Sequence, residues 1–314
     1  MPDTSALTRR QAVWLTASAG VATGAASDSL PTRPLGRTGF STSILGLGAQ
    51  RLGEPIASDA DMDRVVAEAV DAGLNYIDTA PTYGLSQERL GHALKGRRDR
   101  VFLVTKVQTL ARGDVLMQIR DSLRKLGTDH LDCVHIHNLS RDDRYPSLDF
   151  ALSSEGTLGG LLEAKRLGLT RFIGCTSHFR AGRILPALAT GEFDLVMCTL
   201  NNVERHIYNF EETVLPECRK RGIGVIAMKV LGGPVQGPGA RLQSPRAYET
   251  TLRYVWSLPG VSVAILGLRS PAELKQALAA ARAFKPFSET EMSAAIEMGR
   301  PVARDWGTLR GPVA

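Results

Sequence analysis

From residue 33 onward, short apolar runs alternate with longer segments that have the apolar spacing of helices, and this alternation constrains the fold more than any other feature. Alternation of this kind is typical of β/α units, which build a parallel sheet. Eight runs qualify as strands, and eight parallel strands with their helices close naturally into a barrel. We therefore predict an α/β fold, a (β/α)8 TIM barrel, with strands at residues 43–48, 75–79, 101–105, 131–137, 171–175, 195–199, 224–228 and 261–266.

The remaining segments complete one domain around this barrel. Residues 59–72 and 112–126 repeat apolar residues every three or four positions, so each would cover the sheet with one helical face. Residues 33–40 contain glycine turn signals and predict a short N-terminal hairpin. A last helical pattern at residues 289–300 predicts an extra C-terminal helix. We find no internal linker, and we expect a single barrel domain over residues 31–314.

The first 30 residues differ in character from the rest. Arg9 and Arg10 precede an uncharged stretch of small and apolar residues at 12–26, which is too short to span a membrane as a mature helix. This layout predicts a signal peptide that resembles the twin-arginine export signals, while a disordered arm is the alternative. An exported protein is expected in the periplasm, and a protein without the signal in the cytoplasm. In neither case do we expect an integral membrane segment in the mature chain.

The composition argues against several classes of protein. Apolar residues make up 43% and charged residues 22% of the chain, near the average for globular proteins. Lys and Arg number 38 against 32 Asp and Glu, but no basic run is interleaved with aromatic residues, so we expect no nucleic-acid partner. The mildly basic balance suits an anionic small ligand such as a phosphorylated cofactor. The four cysteines lack C-x-x-C spacing, which argues against a zinc ribbon or a redox pair.

Ionisable side chains follow three successive predicted strands. In barrels of this type the reactive groups come from the carboxyl ends of the strands and the loops that follow them. Asp78 and Tyr83 follow the second strand and Lys106 follows the third. His135 and His137 end the fourth. A carboxylate, a phenol, an ammonium and an imidazole are therefore expected to meet at one rim of the barrel.

These same stretches resemble the signatures of a known family. NYIDTAPTYG, FLVTKV and DCVHIHN are similar to three successive motifs of the aldo-keto reductases, and the likeness extends from about residue 33 to residue 278. The Ala-Met-Lys segment at residues 227–229 resembles one bacterial branch of that family. The resemblance implies an enzyme that transfers a hydride from NADPH, or from NADH, to a small-molecule aldehyde or ketone.

The resemblance also implies a catalytic group of four residues, Asp78, Tyr83, Lys106 and His137. Reduction of a carbonyl needs a proton on oxygen, and a phenol with a pKa of about 10 is a poor acid unless its environment helps. We expect Lys106, held by Asp78, to lower the pKa of Tyr83 so that this residue donates the proton. His137 is expected to donate a hydrogen bond that orients the carbonyl.

The cofactor contacts implied by the resemblance lie at later strand ends. The nicotinamide amide would be held after the fifth and sixth strands, and a thioether at the end of the seventh would pack against the ring. The adenosine phosphate would bind where the eighth strand leads into a helix at Pro271, since a helix N-terminus and a guanidinium both favour phosphate. The candidate cofactor-binding residues are Thr176, Ser177, Asn201, Met228, Arg269 and Ser270.

Two other functions fit the sequence. His135 and His137 lie two positions apart on one predicted strand, so a metal-dependent barrel hydrolase is one alternative. The preferred interpretation expects no metal and places His135 in the interior, one layer below His137. The other alternative is a regulatory or sensor protein that keeps the fold and binds the cofactor without rapid turnover. The sequence determines neither the substrate nor the oligomeric state.

Overall fold

The computed structural model describes residues 29–55, 58–233 and 242–313 of the protein. The predicted export signal at residues 1–30 falls almost entirely outside these ranges. Within them, no helix combines the length and the apolar character that crossing a membrane requires.

A short antiparallel hairpin precedes the barrel, as predicted. Its strands are β1 (Thr32–Pro34) and β2 (Ser41–Ser43). Ser43 pairs with Thr32 in this hairpin and so does not belong to the first barrel strand, where the sequence pattern had placed it. Gly36 lies in the turn with a φ of 54°, and a Cβ at this position would lie 2.2 Å from the backbone nitrogen of Gly224. The hairpin can therefore dock closely against the barrel only with glycine at this position.

Eight parallel strands form the predicted closed barrel. They are β3 (Leu45–Gly48), β4 (Tyr76–Asp78), β5 (Phe102–Val107), β6 (Leu131–Ile136), β7 (Thr170–Ser177), β8 (Leu195–Thr199), β9 (Gly224–Met228) and β10 (Val261–Leu266). Each strand pairs with the next along the chain, and β10 pairs with β3 to close the ring. All eight predicted strands are present.

Helices pack around the outside of this barrel. They are α1 (Asp59–Asp71), α2 (Ser86–Ala93), α3 (Arg112–Leu126), α4 (Leu148–Ala151), α5 (Thr157–Arg166), α6 (Ile184–Ala189), α7 (Phe210–Thr213), α8 (Leu215–Arg221), α9 (Pro245–Ser257), α10 (Pro271–Arg282) and α11 (Glu289–Trp306). Most of their buried apolar residues belong to one core that surrounds the strands.

The predicted C-terminal helix, α11, is longer than its sequence pattern indicated. It begins with a capping box formed by Ser288 and Glu291 and continues past Pro301 to Trp306. Ala303 and Trp306 are buried in a small apolar cluster with Val203, Leu242 and other residues. This burial stabilises the last turns although proline removes a backbone donor.

Apolar side chains fill the interior of the barrel at the end where the strands begin. Leu35 and Phe40 of the hairpin pack there with Tyr76 and Phe102. The Phe102 ring lies 5.1 Å from the Phe40 ring and 5.8 Å from the Tyr76 ring, centroid to centroid. This end is therefore closed, and a ligand can approach the barrel interior only at the end where the strands finish, which we call the carboxyl rim.

Candidate active site

A buried ion pair joins β4 and β5 at the carboxyl rim. The Lys106 ammonium donates to both oxygens of Asp78, at 2.7 and 2.6 Å, and to the carbonyl of Thr79 at 2.8 Å. Lys106 is 1% exposed and Asp78 is 2% exposed. Both side chains extend toward the interior from β4 and β5. Because these strands are parallel neighbours, the two side chains lie next to each other. Three oxygen acceptors satisfy the ammonium, which makes its burial tolerable.

Tyr83 lies against this pair, in the loop between β4 and α2. The Lys106 nitrogen is 4.8 Å from the centroid of the Tyr83 ring. Gly53 fixes the loop from the other side, since a Cβ at this position would lie 1.5 Å from the Tyr83 carbonyl oxygen. A larger residue at position 53 would displace the backbone of Tyr83 and therefore the phenol.

His137 completes the predicted group of four. It is the residue after β6, it is 8% exposed, and its ring meets the Tyr83 ring edge-on with centroids 6.1 Å apart. Its Nδ1 atom lies 2.9 Å from the side-chain nitrogen of Gln108, which also donates to the Thr82 hydroxyl at 2.8 Å. The structure thus brings together all four residues of the predicted catalytic group, with Gln108 behind the imidazole.

The electrostatic setting of Tyr83 differs from the prediction. Burial raises the pKa of its phenol, and the Lys106 charge lowers it by less, so the pKa lies above the ordinary value. The expectation of a lowered pKa was wrong for the protein alone, because burial destabilises the phenolate more than the charge of Lys106 stabilises it. The phenol consequently keeps its proton at neutral pH.

Lys106 and His137 have opposite protonation tendencies. Burial disfavours the charge on Lys106, but Asp78 and Tyr83 together raise its pKa above the ordinary value, so the ammonium is retained. Burial, followed by the charges of Lys106 and other neighbours, lowers the pKa of His137 well below its usual range. The site therefore combines a neutral phenol and a neutral imidazole with one buried cation.

A cleft of about 380 Å³ opens beside the catalytic group, and we call it the rim cleft. It reaches from Asp78 and Tyr83 across the ends of β3, β9 and β10 to the first turns of α10. Its volume lies in the range of small-molecule and cofactor sites. Among the residues that line it are Gln50, Arg51, Met197, Met228, Lys229, Tyr248, Leu268, Arg269, Glu273 and Gln276.

Three of the predicted cofactor residues lie at or next to this cleft. Met228 and Arg269 line it. The Arg269 guanidinium is held by Glu273 at 3.0 Å, so a carboxylate already occupies part of the position predicted for phosphate. The Ser270 hydroxyl caps α10 by accepting from the backbone nitrogen of Glu273 at 3.2 Å. The start of α10 thus has the predicted cation and helix N-terminus, but the Glu273 carboxylate would compete with a phosphate for Arg269.

The other three predicted cofactor residues have a different placement. Thr176, Ser177 and Asn201 are fully buried and do not line the rim cleft. The Thr176 hydroxyl accepts from the backbone nitrogen of Asn138, and the Ser177 hydroxyl donates to the carbonyl of Phe179. Asn201 donates to Glu204 and to the Lys229 carbonyl. Their polar groups hold the loops at the rim, and direct contacts of these three residues with a cofactor remain a prediction.

The structure does not pair the two histidines that suggested a hydrolase. His135 is fully buried inside the barrel, where its position on β6 pairs with Lys106 on β5, and neither ring nitrogen has a hydrogen-bond partner within the described ranges. His137 instead faces Tyr83 and Gln108. No group of three or more metal-binding side chains occurs in the part of the chain that the structure describes.

Two residues of the site were missed by sequence reasoning. Gln108 lies two positions after Lys106, just beyond the end of β5, and Lys229 follows Met228 at the end of β9. Both positions follow strand ends, which is the signal that could have identified them. Neither glutamine nor lysine is unusual in a loop, so the residue types alone carried no information.

The fold and the site define an α/β barrel with an acid–base group beside a cleft of cofactor size. Residues 44–247 match the Aldo/keto reductase family. The chain belongs to this family of oxidoreductases, which use nicotinamide cofactors. The recognition of the family from three motifs is thereby confirmed.

Individual relatives support the same assignment. The chain is 31% identical over 223 residues to the L-galactose dehydrogenase of Arabidopsis thaliana, an alignment that covers 63% of this chain and 65% of that protein, just under two thirds. It is 29% identical over 228 residues to an aldo-keto reductase of Bombyx mori, covering 68% of this chain and 71% of that protein. The holo form of an aldo-keto reductase from Bacillus halodurans has the same fold, with a TM-score of 0.72 at 24% identity over 86% of this chain and 96% of that chain.

Proposed function

We propose that the protein is an NADPH-dependent reductase of small aldehydes or ketones, with Tyr83 as the proton donor. The observation that carries this proposal is the contact of a neutral, partly buried phenol with the Lys106–Asp78 ion pair at the mouth of the rim cleft. A phenol beside an ammonium can release a proton and leave a stabilised phenolate. Among the described residues that line the rim cleft, no other group combines these properties.

The rim cleft fits a phosphorylated dinucleotide. It joins the catalytic group to the start of α10, where a guanidinium lies next to a helix N-terminus. The thioethers of Met197 and Met228 line the cleft and offer a soft surface to an aromatic ring. When bound, NADPH supplies the hydride that goes to the carbonyl carbon.

The residues of the catalytic group supply the proton and the orientation. As the carbonyl carbon receives the hydride, its oxygen becomes negative and takes the phenolic proton of Tyr83, which yields an alcohol. Lys106 stabilises the phenolate left behind, and Asp78 keeps Lys106 charged. Solvent then returns one proton to Tyr83, so each turnover consumes one carbonyl, one NADPH and one proton.

His137 requires a defined tautomer to bind the carbonyl oxygen. If the Gln108 amide nitrogen donates to Nδ1, that atom is an acceptor and the proton of the neutral ring is on Nε2. An Nε2 proton can be donated to the substrate oxygen. We assign to Gln108 the role of a positioning residue that selects this tautomer.

The direct test follows NADPH absorbance while the purified protein is offered a panel of aldehydes, ketones and quinones. We expect turnover of at least one class, with NADP⁺ and the alcohol formed in equal amounts. Tight retention of NADPH with negligible consumption across the panel would overturn the reductase proposal in favour of a sensor. Catalysis of hydrolysis by protein with stoichiometric zinc would overturn it in favour of the hydrolase.

Substitution of Gln108 tests its role. Gln108→Leu removes the donor to Nδ1, and we expect kcat to fall by about 10- to 100-fold, which is below the effect of losing a direct oxyanion donor. Gln108→Glu places an acceptor at Nδ1, so the ring can donate from Nε2 only when it is protonated. The activity of this variant should therefore rise as the pH falls, unlike that of the parent. Nitrogen NMR shifts of His137 that stay unchanged in both variants would contradict the assignment.

Arg269 is the expected determinant of NADPH preference. A charge-assisted contact with the adenosine phosphate is worth about 1.5–3 kcal/mol, so Arg269→Ala should raise the Kd of NADPH about 10- to 100-fold and change that of NADH by less than about twofold. Glu273 competes for the same guanidinium at 3.0 Å. Glu273→Gln should therefore tighten NADPH binding, and binding titrations with both cofactors measure both effects. An equal loss for NADPH and NADH in Arg269→Ala would contradict this role.

A further inference from the structure

An arginine in the loop after β6 lacks a counterion. Arg144 is half-buried, and its guanidinium makes a single hydrogen bond in the described ranges, a long one of 3.5 Å to the carbonyl of His137. No carboxylate of those ranges lies within ion-pair distance of it. A guanidinium has several N–H donors, so most of its hydrogen-bonding capacity is unused. Arg144 can therefore bind an anion that the chain itself does not supply.

The acidic residues of the same loop are already paired with other arginines. Asp143 accepts from Arg141 at 2.6 Å, and it interacts with Arg144 only to a smaller extent. Asp142 accepts from Arg183 at 2.7 Å. Among the described residues, the carboxylates of this loop therefore leave the Arg144 charge without a close partner.

The loop is anchored so that Arg144 stays beside the end of β6. The Tyr145 hydroxyl donates to the Val107 carbonyl at 3.3 Å, and the Tyr145 side chain is fully buried. Arg183 donates to the carbonyls of Leu139 and Tyr145, at 2.7 and 2.8 Å. These contacts hold the loop on both sides of Arg144. A group that is held in place in this way loses less conformational entropy when it binds a ligand.

Cations dominate the surroundings of the imidazole that is expected to bind the carbonyl. Burial is the first cause of the low pKa of His137, and the charges of Lys106 and Arg144 contribute as well. The ring of His178 lies 6.4 Å from that of His137, centroid to centroid, and its pKa is lowered by burial and then by cations that include Arg310. A positive potential at this end of the site favours a substrate with a negative charge.

We propose that the substrate is a carbonyl compound with a carboxylate, which the Arg144 guanidinium binds while Tyr83 and His137 bind the carbonyl oxygen. This inference rests on the proposed function. A guanidinium forms parallel hydrogen bonds with both oxygens of a carboxylate, so it fixes the orientation of the substrate and also increases its affinity. One guanidinium balances the single charge of a carboxylate, whereas a phosphate dianion would keep an unpaired charge. The substrate class is therefore that of the oxo acids.

The experiment compares short ω-oxo acids with their methyl esters, which have the same carbonyl group and no charge. The parent should have the higher kcat/KM for the acids. Arg144→Met should lower kcat/KM for the acids about 10- to 100-fold, the usual loss for a hydrogen bond to a charged group, and should change that for the esters by less than about twofold. Arg120→Met removes an exposed arginine of α3 and should change neither value.

Charge reversal gives a second readout that a misfolded loop could not produce. Arg144→Glu should raise kcat/KM for an aldehyde with a trimethylammonium group above the parent value, because a carboxylate at this position attracts that cation. Arg144→Lys keeps the charge without the planar set of donors, so its kcat/KM for the acids should lie between those of the parent and of Arg144→Met.

Two results would overturn the inference. In the first, the parent reduces the acids and the esters equally well. In the second, Arg144→Met loses activity toward acids and esters to the same extent, which would assign to the guanidinium only the support of the loop next to His137. Failure of the proposed function is distinguishable, because a protein that is no reductase would consume no NADPH with either the acids or the esters.

Discussion

Tyr83→Phe should lower kcat for carbonyl reduction by about 100- to 10,000-fold, the range that general acid catalysis contributes. The substitution keeps the aromatic ring beside Lys106 and removes only the hydroxyl, so the Kd of NADPH should change by less than about twofold. Steady-state kinetics on the best substrate of the panel, together with cofactor titration, measure both quantities. A variant with the parent rate would show that another group supplies the proton.

Tyr76→Phe is the matched control for this experiment. Tyr76 lies inside the barrel below the rim, and its hydroxyl is buried without a hydrogen-bond partner in the described residues. Removing that hydroxyl takes away the same atom from the same kind of residue, at a position outside the reaction. We expect parent activity, and unchanged or slightly increased stability, because an unsatisfied buried hydroxyl disfavours the folded state.

Lys106→Met should lower both stability and activity more than any other single change considered. It leaves the Asp78 carboxylate, 2% exposed, without its cation, and breaking a buried pair in this way costs about 3–5 kcal/mol of unfolding free energy. Burial then raises the pKa of Asp78 further, so the variant should be more stable at acidic pH, where the carboxyl is protonated, than at neutral pH. Urea unfolding at several pH values measures this dependence.

The double variant Asp78→Asn/Lys106→Met separates the structural effect from the catalytic one. With the charge of Asp78 removed as well, most of the lost stability should return, because a buried amide needs no counterion. Activity should stay low, since no cation remains to stabilise the Tyr83 phenolate. If the double variant were as unstable as Lys106→Met alone, the uncompensated carboxylate would not be the cause.

The architecture could be predicted from the sequence because it depends on local patterns. Every barrel strand was recognisable as an apolar run, and strand order then places Asp78 and Lys106 next to each other without further information. The family motifs lie at these same strand ends, so the candidate catalytic group could also be predicted from the sequence. Only element ends were misplaced, as with Ser43 and with the extension of α11 to Trp306.

The hydrogen-bond partners of the predicted cofactor residues could not be predicted from the sequence, because side-chain partners depend on tertiary contacts. Thr176, Ser177 and Asn201 follow strand ends, as contact residues should, yet backbone groups from neighbouring loops occupy their hydrogen-bonding atoms. Lys229 was not predicted as a site residue, because no sequence pattern showed that a left-handed backbone conformation would place it in the rim cleft.

The sequence by itself determined the barrel, the order of its strands and the four residues at three strand ends, since apolar periodicity and residue order are local properties. Only the tertiary structure decided the pKa values and the hydrogen-bond partners of these groups. It showed that burial outweighs Lys106 in setting the pKa of Tyr83, and that Gln108 contacts His137. Desolvation and hydrogen-bond partners arise only when distant segments pack together, so no linear pattern records them.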